Sequence, residues 1–178
     1  MEQPQSTRNW RRILARLVKH RWLDESDTRR ALPADVLERL SRRVAASETL
    51  HSGEIRIYAE AGLPASYLWR DATPRERAVA LFGKLRVWDT EHNNGVLVYL
   101  LLAEHAIEIV ADRGIARHVA PQDWQALVAR MGEALHAGRF EEGLALALEE
   151  VSALLVAHFP LAEGQANPDE LPNTPALG

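Results

Sequence analysis

Cysteine is absent from all 178 residues of the chain. That excludes disulfides, zinc–thiolate centres and any mechanism with a thiolate nucleophile, including that of the cysteine phosphatases. It also gives no sign of an oxidising compartment. No apolar run approaches the roughly 20 residues needed to cross a bilayer. The longest, Val96–Ala103, has the length of a core strand. The first residues lack the basic-then-apolar layout of a secretion signal. Together these absences read as a cytoplasmic protein without a transmembrane segment. Positive charge is not in excess either: 21 Lys and Arg stand against 25 Asp and Glu, so nothing demands a nucleic-acid partner. Apolar residues are plentiful, at 47% of the chain, enough for one α/β domain with a substantial core.

The chain divides into three stretches. Residues 1–32 read as a loose end, a basic amphipathic helix and a connector. In that helix Trp10, Ile13, Leu14, Leu17, Val18 and Trp22 share one face, flanked by Arg8, Arg11, Arg12, Arg16 and Lys19. Two readings follow: the apolar face packs on its own domain, or residues 8–22 meet a membrane surface or a protein partner. Residues 33–160 hold the domain. A helix with Val36, Leu37, Leu40 and Val44 on its stripe precedes an alternating strand at Gly53–Glu60. Thr73-Pro-Arg-Glu76 carries the hydroxyl, proline and glutamate of a capping box, and the helix it opens shows Val79, Leu81, Phe82 and Leu85 on its apolar side. A buried strand at Gly95–Ala103 turns at Glu104-His105 into Ala106–Asp112. Two helices follow, one stopping at Gly138 and one ended by Pro160. Residues 161–178, rich in Pro, Ala, Gly and acidic residues, read as a flexible tail.

This order fixes a topology. A strand–helix–strand crossover makes the first two strands parallel, and the tight turn makes the third antiparallel to the second. The starts of strands one and two and the end of strand three then share one rim. Three segments reach it: Glu48–Glu54, Asp89–Asn94 and Asp112–Gly114. Asp89, Glu91, Asn94 and Asp112 offer the oxygen donors that Ca2+ or Mg2+ takes. His51 and Glu54 lie beside them, and Arg56 and Arg113 could hold a phosphate. Polar loops and caps account for the same residues without any ligand. Tryptophans Trp10, Trp22, Trp69 and Trp124 read as core or seam residues.

The run Arg86–Leu100, followed by Val110-Ala-Asp-Arg-Gly-Ile115, resembles the TPM domain family; His51–Arg56, Trp124 and Ala157–Pro160 fit its short bacterial branch. The resemblance spans about residues 34–160 and implies a three-layer α/β/α sandwich around a small mixed sheet. It implies divalent-cation binding in some relatives, acid phosphatase activity in a plant member and accessory roles beside membrane complexes in others. Asn94-Gly95 and Asp112 match the family's positions at the central strand and after the next one. Two functions follow. One is an interaction or accessory module, at the membrane periphery through residues 8–22, with a cation at the rim. The other is a metal-dependent phosphatase-like hydrolase of phosphomonoesters. The signatures of the usual phosphatase classes are absent from the sequence.

Overall fold

The structure, a computed structural model, describes residues 10–162, 164–165 and 167–178. The expected loose end at 1–7, and Arg8 of the expected helix, lie outside the described residues.

The central strand β2 (Val96–Leu101) has all six residues buried. Its period-two alternation sends Val96, Val98 and Leu100 to one apolar cluster and Leu97, Tyr99 and Leu101 to the other. β1 (Ile55–Glu60) pairs with it in parallel, Ile55 opposite Val96. β3 (Ala106–Ala111) returns antiparallel, Val98 opposite Ile109. The strand is shorter than expected: Leu102–Glu104 curls into a 3-10 turn, and His105 takes a left-handed conformation with φ 49°. The sheet order is β3-β2-β1-β4.

Among the described residues, helices cover both faces. On the first lie α3 (Ala34–Glu48), α7 (Pro121–His136) and α8 (Phe140–His158), whose Leu40, Met131 and Leu144 join β1 and β2 in the larger cluster. On the second lie α1 (Trp10–Arg21), α4 (Ala65–Trp69) and α5 (Pro74–Lys84), represented by Leu17, Leu68 and Leu81. This is the expected three-layer arrangement. The short helices α2 (Glu25–Ala31) and α6 (Arg113–Ala116) complete it.

Several expectations need correction. The stretch read as a connector is α2, because Asp24 and Asp27 close a capping box at its start. α5 has the expected box at Thr73 and Glu76, yet it buries Ala78 and Leu81 and leaves Val79 exposed. Trp10, Trp22 and Trp69 are exposed rather than core residues; Trp124 alone of the four packs on the main cluster.

The largest difference concerns residues 161–178, where composition suggested flexibility. Ala176–Leu177 form β4, parallel to β1, with Ala59 opposite Leu177. The Gly178 amide donates to the Ala59 carbonyl at 2.9 Å, and Leu171 is buried in the second cluster. β1 without β4 would be an edge strand, so this segment satisfies hydrogen-bonding groups that composition does not reveal.

Gly95 sits where β2 begins, and a Cβ there would lie 1.9 Å from the Val87 carbonyl oxygen. Gly95→Ala should therefore destabilise the protein by about 2 kcal/mol or more. Gly132, inside α7 with nothing within 4 Å of a built Cβ, is the control; Gly132→Ala should stabilise by about 0.5–1 kcal/mol. Urea denaturation of both variants measures the pair.

Candidate metal centre

Glu48 falls on the apolar stripe of α3, one turn beyond Val44, so the helix that buries Val36, Leu40 and Val44 carries this carboxylate inward as well. One Glu48 oxygen accepts the Ile55 amide at 3.0 Å. Glu54, immediately before β1, is fully buried. Its oxygens accept the Asn167 side-chain amide and the Leu171 backbone amide, both at 3.1 Å. Asp169 arrives from the C-terminal segment. One carboxylate oxygen from each of Glu48, Glu54 and Asp169 lies within 4.8 Å of the others. Beside them opens a cavity of about 350 Å³ whose lining includes Glu48, Asn167, Asp169 and Asn173. The Asn173 Oδ1 atom is buried with no hydrogen-bond partner among the described residues.

The electrostatics follow from burial. Removal from water pushes the Glu48 carboxyl up to about 8, aided by the charges of Glu54 and Asp169 and opposed by the Ile55 amide and the Asn173 side chain. Glu54 is pushed up to about 7, again mainly by burial, then by Asp169 and Glu170 against the Leu171 and Asn167 hydrogen bonds. Closely spaced carboxylates that resist ionisation together are stabilised as anions by a cation. The donors are all oxygen, which selects hard divalent ions.

The residues singled out from sequence meet this centre only in part. Glu54 belongs to it. Asp89 and Glu91 are exposed, and the Glu91 amide donates to the Glu170 carboxylate. Asn94 is buried with its amide on the Ser52 carbonyl at 3.1 Å, its Oδ1 lacking a partner among the described residues. Asp112 caps α6 through the Arg113 amide at 2.6 Å, and its Oδ2 is buried without a partner among the described residues. Among the described residues, Glu48, Glu54 and Asp169 form the single group of three acidic or histidine ligands in mutual reach. Arg113 holds the Asn93 side chain at 2.9 Å. Arg56 donates to the Pro172 and Thr174 carbonyls.

His51 is fully buried. Its Nδ1–H can only donate to the Gly53 carbonyl, 3.0 Å away, so Nε2 accepts from the Ser47 hydroxyl at 2.7 Å. Burial lowers its pKa. Glu48, Asp169 and Asn173 were not among the candidate donors expected from the sequence. A glutamate in register with Leu40 and Val44 was a readable signal for the first; the other two sit in a polar stretch that offers none.

Fold and centre together define a small three-layer α/β/α domain with an oxygen-donor cluster at the rim where β1 and β2 begin. A family model for the TPM domain matches residues 26–154, and the chain belongs to that family. It is similar to the BA42 protein of the psychrophilic bacterium Bizionia argentinensis sp. nov., whose structure was solved by NMR. The two share 27% identity with a TM-score of 0.71, over 83% of this chain and 95% of that one. Among curated proteins none matches the chain.

The raised carboxyl pKa values have a definite sign in stability. In the unfolded chain both glutamates ionise near their ordinary 4.5; in the folded one they hold their protons to about 7 and about 8. Their contribution is fully present below pH 4.5 and is lost as pH rises to about 8. In chelator, the melting temperature should fall across that range, and Glu48→Gln should flatten the fall and melt higher than the parent at pH 8. A parent whose melting temperature rises from pH 5 to 8 would contradict this.

Proposed function

We propose that this TPM domain is a non-enzymatic accessory module in which Ca2+ or Mg2+, held by Glu48, Glu54 and Asp169, fastens residues 167–178 against α3 and β1. The observation that carries the reading is the convergence of two buried carboxylates from α3 and the β1 approach with a third from the C-terminal segment. The orphaned Asn173 oxygen beside them supplies a further donor of the right type. Such an ion neutralises the cluster and adds a crosslink between segments remote in sequence. Its role is regulatory or structural, and the partner-facing work falls to other surfaces, including residues 8–22.

A second seat on the same rim is favoured by the buried, unpartnered Asn94 Oδ1 and Asp112 Oδ2 atoms that flank Gly95.

The hydrolase reading fits less well. Arg56 is spent on two backbone carbonyls and Arg113 on Asn93, so neither is free to clamp a phosphate. His51, buried with both ring nitrogens engaged, is not placed to carry a proton to a substrate.

Millimolar Ca2+ or Mg2+ should raise the melting temperature of metal-stripped protein, more at pH 8 than at pH 5.5, because ligation needs the ionised carboxylates. Asp169→Asn should reduce that rise by at least about half, whereas Asp112→Asn should leave it intact. The reverse pattern would move the ion to the second seat. No rise with either ion would sink the cation reading.

A further inference from the structure

The apolar side of α1, uniform in sequence, is divided in the structure. Ile13 and His20 are buried and Leu17 packs on the second cluster. Arg16 fixes the same side, with Nη1 2.8 Å from Asp71, and Nη2 2.7 Å from Glu104 and 2.9 Å from the Ala72 carbonyl. The Leu63 amide donates to His20 Nδ1, so Nε2 carries the proton that reaches Glu104 at 3.0 Å. The helix is thus held by one edge.

The adjoining face is bare. Trp10 is 64% exposed, Leu14 45%, Val18 58% and Trp22, just past the helix end, 82%. At 3.6 residues per turn these four side chains occupy an arc of about 120° and run about 18 Å along the axis. Trp69, at the end of α4 against which α1 packs, is 65% exposed as well.

Charge decides what such a face accepts. Residues 8–22 hold Arg8, Arg11, Arg12, Arg16, Lys19 and Arg21 and no acidic residue, although the whole chain carries a net −4. Pairing with a second copy of the same face would oppose two strongly positive helices. A lipid surface with anionic headgroups suits every part: tryptophan rings favour the headgroup boundary, aliphatic side chains enter just below it, and basic residues meet the negative surface potential.

We propose that the outer face of α1 docks this domain on an anionic membrane surface, lying in the plane of the interface with its Arg16–His20 edge turned to the protein. This rests on the accessory-module reading and supplies its partner, and it does not depend on the cation centre.

The test is co-sedimentation of the full chain, in chelator, with vesicles of phosphatidylcholine containing about one-third phosphatidylserine, against pure phosphatidylcholine. The chain should bind the anionic vesicles at least about tenfold better and lose most of that binding in high salt. Leu14→Glu combined with Val18→Glu, both at exposed positions, should abolish it while leaving the thermal melt unchanged. Asp169→Asn should sediment like the parent, so that failure of the cation centre and of lipid docking are separately visible. Absence of binding to the anionic vesicles, or binding unaffected by the double substitution, would overturn the proposal. So would a concentration-dependent dimer in chelator that the double substitution dissolves, since that would assign the face to a second copy.

Discussion

Glu54 is buried completely and yet carries a carboxylate. A charged group in that position is tolerated only if its oxygens are occupied, and here they are taken by the Leu171 amide and the Asn167 side chain, both from the C-terminal segment. Its own backbone carbonyl accepts the Val96 amide at 2.8 Å, where the parallel pairing of β1 with β2 begins. One residue therefore ties the start of the sheet to the last stretch of chain. The neighbouring Glu48 holds the Ile55 amide, so α3 is tied to the same point. The burial that makes these contacts strong also makes the pair reluctant to ionise, and the proposed cation would relieve that tension.

The C-terminal segment gains its definition from this arrangement. Arg56 holds two of its carbonyls, β4 extends the sheet past β1, and the Thr28 hydroxyl reaches the Gly178 carbonyl at 3.2 Å. Apart from Leu171 and Pro175 it buries little, so polar contacts do most of the holding. A segment secured in that way responds to the charge state of the groups it touches. The loop at 49–54 is stitched separately, by the His51–Pro160 bridge and the Ser52 amide on the Phe159 carbonyl. The end of α8 is thus held to the approach to β1 by contacts separate from those of the stretch beyond it.

How much of this was legible in the sequence depended on apolar patterning. The unbroken Val96–Leu101 run meant burial on both faces, and the crossover and hairpin rules then gave the strand directions and the rim. The capping box at Thr73 was readable because its spacing is local. What patterning could not supply was β4: two residues in a Pro-rich, acidic stretch pair with a strand more than 100 positions earlier, and nothing local marks them. The rim was placed correctly as an edge of the sheet, but its acidic residues were chosen by proximity to strand ends. Burial selects differently, favouring Glu48 because it rides an apolar helical stripe, and leaving Asp89 and Glu91 in solvent. The α1 face shows the same limit: a helical wheel identifies apolar residues without dividing those that the domain covers from those it leaves open.

The proposed ion at Glu48, Glu54 and Asp169 would secure the C-terminal segment to the sheet. Amide hydrogen exchange, followed residue by residue in chelator and then in Ca2+, tests it most directly. Exchange at the Leu171 and Gly178 amides, which donate to Glu54 and to Ala59, should slow markedly when the ion is added, and should not respond in Asp169→Asn. Exchange there that ignores the ion, or protection confined to residues 89–94 and Asp112, would contradict the account.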